Sequence, residues 1–290
     1  MQVEKAIDEF LYATDYPEKT RKWYQVRLAA FTAFTGAIDT SEITVPLVRR
    51  YINSLNEREI KKITQHGYGR AVRAFVHFLE REDIVTTSVA ARIKLPKFEK
   101  KITDALTRVH LKALYNAAGA SETPALCARN KAIIAVLSDS GVRASELCGI
   151  KVTDVSFEGS IIRIKVFGKG SKERSIPLGK ESSNLLRTWL NRYHDGISKY
   201  VFTSKKTGVA ITPEGLHRLL YTIAAGAGLE DLHIHPHMFR HSYAINAVKA
   251  GMNIYDLSYI LGHTSLATTE VYLRGLRGYI PHAESVLDQM

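Results

Sequence analysis

Apolar positions in the first ninety or so residues recur at helical spacing. Ile7, Phe10 and Leu11 form one stripe; Trp23, Val26, Ala30, Phe31 and Phe34 a second; Val48, Tyr51, Ile52 and Leu55 a third; Tyr68, Val72, Phe75, Phe78 and Leu79 a fourth. Pro17 precedes the second, and Thr44 stands as an N-cap to the third with Pro46 in its first turn. A short fifth piece covers 89–93. The aromatics on these stripes read as core rather than as stacking platforms. The pattern lapses in "KLPKFEKKITDALT", residues 94–107, which carries a proline and several lysines. A domain boundary is expected there, with a linker over 96–104.

Beyond it the pattern is mixed. "TRVHLKALYNAAGA" and "PALCARNKAIIAVLSDSG" read as helices. "GSIIRIKVFGKGSKERSIPLG" alternates apolar and polar residues on both sides of "GKGS", which predicts a β-hairpin whose turn uses Gly168 and Gly170 at positive φ. Helices follow over 181–193, 213–226, 237–250, 254–261 and 265–273, and "HAESVLDQM" closes the chain. The expected fold is mainly α with a small β-hairpin or sheet, in two domains, the first a helical bundle.

Composition narrows the class. The 290 residues are 45% hydrophobic, enough for two cores. No apolar run approaches the roughly 18 to 20 residues of a membrane helix, and the N-terminal stretch is charged from residue 4, unlike a signal peptide. Cys127 and Cys148 lie in apolar helical patterns and read as packing residues, so neither a disulfide scaffold nor a zinc site is expected. A soluble, cytoplasmic protein is the expectation. The net charge is +11, shared as +5 over residues 1–103 and +6 over the remainder, which favours a polyanionic partner for both parts.

"HIHPHMFRH", residues 233–241, raises metal binding. Pro236 is placed to start a helix, which puts His237, Arg240 and His241 on one face. A fixed guanidinium at the centre of that face repels a cation and suits an oxyanion. Three further stretches could serve a phosphate: "SGVRASEL" with Arg143 after Gly141, the hairpin tip with Lys169, and "LGHTSLATTEVYLRG" with His263 and Tyr272. Each alone has a bland reading: Arg143 pairing with Glu146, Lys169 as an exposed turn lysine, Tyr272 as a packed aromatic.

Taken in order, "GVRASEL", "GKGSKER…IPL", "HMFRH", "LGH" and a tyrosine nine residues after that histidine resemble the signature of the tyrosine recombinases, the integrase and Xer group, over about residues 105–275. Phe239 stands where leucine is more usual, and His235 where a small hydroxyl residue is common; neither change removes a chemical group from the signature. The resemblance implies a SAM-like, core-binding helical domain over 1–95, a catalytic domain over 105–290 ending in an exchange helix, and a two-domain, C-shaped clamp on DNA. It implies Tyr272 as nucleophile, Arg143 and Arg240 on the phosphate oxygens, Lys169 as acid to the leaving oxygen, His237 in proton transfer and His263 as a phosphate hydrogen bond, with no cofactor and no metal. His233 and His235 receive no catalytic role, and His241 a supporting one. The implied partner is double-stranded DNA with a paired recombination site, held by a homo-tetramer or a hetero-tetramer with a second recombinase. The first helix begins almost at residue 1, which leaves little room for an arm-site domain and favours an Xer-type dimer-resolving enzyme over a compact integrase of a mobile element. A type IB topoisomerase-like enzyme, a non-catalytic DNA-binding regulator and a metal-dependent hydrolase are the rival readings.

Overall fold

The structure is a computed structural model that describes residues 1–13, 15–85, 88–98, 105–168, 172–204 and 208–274, with side chains as far as Tyr272. The chain divides into two compact units, Met1–Lys101 and Ile102–Met290. Lys169, Gly170 and the C-terminal residues 275–290 lie outside the described residues, as does most of the expected linker.

The first unit is four helices, α1 (Val3–Ala13), α2 (Glu18–Thr35), α3 (Val45–Ser54) and α4 (Lys62–Arg81), with 3-10 turns at Thr40–Glu42 and Ala90–Arg92. The Thr44 hydroxyl accepts from Leu47 N, the cap its sequence foretold, with Pro46 inside the first turn. The core joins Phe10, Phe31, Tyr51, Phe75 and Phe78. Phe10 meets Tyr16, Tyr24, Phe75 and Phe78 edge-on at 5.1 to 5.9 Å. On α2 the expected stripe is wrong in part: Val26 faces solvent and Leu28 is buried instead. Apolar residues lie all round this helix, so spacing alone does not choose its inner face.

The second unit opens with α5 (Arg108–Ala118), the buried α6 (Pro124–Ser140) and the short α7 (Ala144–Gly149). A three-stranded antiparallel sheet follows, β1 (Val155–Glu158), β2 (Ile161–Phe167) and β3 (Glu173–Pro177), in the order β1-β2-β3. The β2–β3 pair is the expected hairpin, in register from Arg163↔Pro177 to Phe167↔Glu173; β1 is an addition that its short, mostly exposed sequence hides. Gly168 does not use a positive φ, and Gly170 lies outside the described residues; Gly159, which has a positive φ, turns the chain between β1 and β2. Then come α8 (Lys180–Arg192), α9 (Pro213–Gly226), α10 (Pro236–Lys249), α11 (Ile254–Leu261) and α12 (Leu266–Arg274). One apolar cluster runs from Leu106 through α6, the sheet and α9 to Phe239. A smaller one joins Ala244, Ala247, Leu257, Leu261 and Tyr272, seating α11 and α12 on α10. Cys148 is buried, which pushes its thiol up to about 12, and Cys127 donates to the Gly119 carbonyl at 3.1 Å, so both cysteines pack as expected.

Candidate active site

Two helix ends build the site. Helix α6 stops at Gly141 and α11 at Gly262, both in the left-handed conformation that favours glycine. A Cβ on Gly262 would also come within 2.8 Å of Arg174 Nη1, and one on Gly141 within 2.7 Å of Tyr243. The last carbonyls of a helix lack partners inside it and carry the negative end of its dipole. Three guanidiniums take them in succession at the end of α11. Arg174 Nε donates to Ile260 O at 2.6 Å, Arg240 Nη2 to Leu261 O at 2.6 Å and Arg143 Nη2 to Gly262 O at 3.2 Å. Arg240 Nη1 also donates to Gly141 O at 2.9 Å, tying the two helix ends together.

A buried carboxylate completes the frame. Glu146 receives Arg174 in a two-pronged pair at 2.8 and 3.0 Å, Arg143 Nη1 at 2.8 Å and the Arg143 backbone N–H at 2.8 Å. Burial pushes the Glu146 carboxyl up, but the hydrogen bonds and charge of Arg174 and Arg143 outweigh it, and the group sits below its ordinary value. Three arginines against one glutamate leave two net positive charges. The bland reading of Arg143 as the partner of Glu146 is therefore correct as geometry, and it also aims Arg143. Arg143 keeps 39% of its side chain exposed whereas Arg174 keeps 4%. Burial, then the neighbouring Arg143, lowers Arg240 to about 10, so it is charged at neutral pH.

The histidines and the tyrosine gather on this frame. Pro236 starts α10 as expected and sets His237, Arg240 and His241 one turn apart. Arg240 points inward and His237 is exposed. Partial loss of solvent, then Arg240, lowers His237. His263 follows Gly262, and its Nδ1 lies 2.7 Å from the hydroxyl of the fully buried Thr269. Partial burial, then Arg240 and Arg143, brings it down to about 4, so it is neutral at neutral pH. The Tyr272 ring is nearly parallel to that of His263, with centroids 6.4 Å apart, and lies 5.4 Å from the ring of His241. Tyr272 itself is buried.

Of the six residues singled out from sequence, Arg143, His237, Arg240, His263 and Tyr272 come together, while Lys169 lies outside the described residues. Glu146, Arg174 and Thr269 were not assigned to the site. Arg174 had a signal: it shares the inward face of β3 with the buried Ile176, an arginine at an apolar parity. His233 is exposed and takes a left-handed φ of 47°, and His235 lies between His217 and His237 at 6.4 Å centroid distances. Among the described residues no three of His, Cys, Asp and Glu converge as metal ligands.

Residues 104–277 match the Phage integrase family. A tyrosine recombinase XerC of Bacillus pumilus (strain SAFR-032) is 32% identical over 269 residues, 89% of this chain and 86% of that protein. The crystal structure of XerA recombinase is 26% identical over 94% of this chain and 96% of that one, with a TM-score of 0.53. That of XerH site-specific recombinase bound to palindromic difH substrate shares the fold, with a TM-score of 0.74 at 21% identity over 88% of this chain and 76% of that one. With five signature residues on one arginine frame and these relatives along nearly its whole length, the chain belongs to the phage integrase family and is a tyrosine-type site-specific DNA recombinase.

Proposed function

We propose that Tyr272 cleaves DNA by attacking a backbone phosphorus. Its oxygen forms a bond to phosphorus as the bond to the 5′-oxygen breaks, leaving a 3′-phosphotyrosyl linkage and a free 5′-hydroxyl. The phenol proton passes to His237, and Lys169 protonates the departing 5′-oxygen. The reverse reaction, with a 5′-hydroxyl of the second duplex as nucleophile, reseals the strand without an external energy source. Arg143 and Arg240 hold the non-bridging oxygens, whose charge grows in the transition state, and His263 adds a hydrogen bond. The observation that carries this reading is the convergence of two net positive charges, two histidines and a tyrosine on the same pair of helix ends. The arginines supply charge that a divalent cation supplies in other phosphoryl-transfer sites.

The same proposal extends to assembly and role. The basic N-terminal unit holds duplex DNA largely through phosphates. Four protomers on two sites carry out exchange, with the segment after Tyr272 docking on a neighbouring protomer. The similarity to XerC proteins along the chain supports Xer-type dimer resolution. A nicked suicide substrate tests the chemistry: in excess EDTA the wild-type protein forms a covalent adduct on a denaturing gel, and Tyr272→Phe forms none while binding DNA as tightly. An adduct from Tyr272→Phe, or a wild-type adduct that needs an added divalent cation, refutes it.

A further inference from the structure

We propose that Thr269 is a positioning residue that holds His263 in the tautomer with its proton on Nε2. The inference rests on the reading of His263 as a phosphate hydrogen bond. The oxygens of a phosphodiester can only accept, so a neutral imidazole must present an N–H to them. Which ring nitrogen carries the proton is set by the partner of the other one. Here Nδ1 has a hydroxyl at 2.7 Å. If Thr269 donates, Nδ1 is the acceptor, the proton resides on Nε2, and His263 offers a donor. If Thr269 accepts, Nε2 presents a lone pair that repels phosphate.

The surroundings favour the first arrangement. Three guanidiniums face His263 from α10, from the start of α7 and from β3, and His237 faces it from α10. None of these can accept from the ring in its protonated form. A phosphate entering this field is the acceptor the Nε2–H requires. Thr269 is fully buried, so water does not replace its hydroxyl. It also lies one turn before Tyr272 on α12, which puts both on the same side of that helix. The orientation of His263 and the placement of the nucleophile therefore share one rigid support. A displacement of α12 that advances Tyr272 must carry this bond along or break it.

The test uses the full-length protein with 15N-labelled histidine, whose NMR cross-peaks distinguish the two tautomers, alongside single-turnover cleavage of the nicked substrate at saturating DNA. The expected results are an Nε2–H tautomer for His263 in the wild type, and a mixture of tautomers in Thr269→Val. That variant, which is nearly isosteric but has no hydroxyl, should cleave roughly fivefold to tenfold more slowly, the scale of one lost hydrogen bond, with DNA affinity unchanged. Thr269→Ser should restore the wild-type tautomer and most of the rate. An Nδ1–H tautomer in the wild type overturns the proposal, and that spectrum decides it even if Thr269→Val does not fold. So does a folded Thr269→Val with wild-type tautomer and rate. His263→Ala separates the two readings: if it cleaves at the wild-type rate, His263 has no phosphate role, while the tautomer spectrum still reports what Thr269 does.

Discussion

The two units bury different things. The N-terminal unit closes over aromatic and aliphatic side chains, with Thr40 and Gln65 its fully covered polar residues among those described. The C-terminal unit has a comparable apolar core, yet it also takes Arg129, Glu146, Arg174 and Arg240 out of water. Burying charge costs free energy unless every donor and acceptor is met. Arg174 and Arg240 are met by the carbonyls at the ends of α6 and α11 and by the Glu146 carboxylate, and Arg129, elsewhere in the unit, by Thr203 O and Asn130 Oδ1. The N-terminal unit is thus held by contacts that many hydrophobic residues could make. The C-terminal unit holds Arg143, Arg174 and Arg240 at fixed positions around Glu146 and the end of α11, and each of them depends on the others.

Breaking that dependence should have the largest effect. Glu146→Ala leaves Arg174 buried beside like charges; removal of one partner from a buried pair costs about 3–5 kcal/mol. Chemical denaturation of the full chain should show this loss in the C-terminal unit, with the unfolding of the N-terminal unit in place; a loss under 1 kcal/mol would mean that the carbonyls alone hold the arginines. Arg240→Ala should lower single-turnover cleavage about a hundredfold, equivalent to ~3 kcal/mol on the barrier, with DNA binding retained. A decrease confined to binding would move Arg240 out of the transition state and into the general basic surface.

The N-terminal unit supplies the contrast. Phe10→Leu removes edge-on contacts to four rings and should cost about 1–2 kcal/mol of that unit's stability. Cleavage of DNA already bound at saturation should not change. A slowed chemical step would show that the two units do not separate into binding and chemistry as supposed.

The smallest expected effect is a pH dependence. His263 is lowered from its ordinary value to about 4, and His235 and His237 are also lowered. A histidine depressed in the folded state binds its proton more readily when unfolded. Its contribution is complete above the unfolded value near 6.5 and falls away as pH drops toward 4. The described carboxylates with depressed values, Glu146 among them, extend the loss below about 4.5. In the N-terminal unit the resolved downward shifts are carboxylates, Asp39 held by the N-terminal ammonium and Glu18 by Lys22, so it should respond only at the lower pH. Calorimetry at pH 7 and pH 5 should find the C-terminal transition lower by about 3 °C at pH 5 and the N-terminal one unmoved. Equal shifts in both would assign the effect to net charge rather than to the histidines.

Much of this molecule is determined by sequence alone. Helical spacing locates the helices, because an amphipathic helix must repeat its apolar residues every three or four positions; α9 and α11 fall on the expected residues. The order of the motifs points to Arg143, His237, Arg240, His263 and Tyr272 through their resemblance to the tyrosine recombinases, since a signature keeps its groups in order whatever lies between them. Spacing could not choose the inner face of α2, where apolar residues occur all round, nor find β1, whose residues are mostly exposed. The tertiary structure alone decided the partners: that Glu146 is shared by two arginines, that Arg174 reaches Ile260 O from 86 residues away, and that Thr269 meets His263. A carbonyl is present at every residue and leaves no mark in a sequence. Which carbonyls are left unpaired at a helix end, and which guanidinium arrives to meet them, is settled only when the chain has packed.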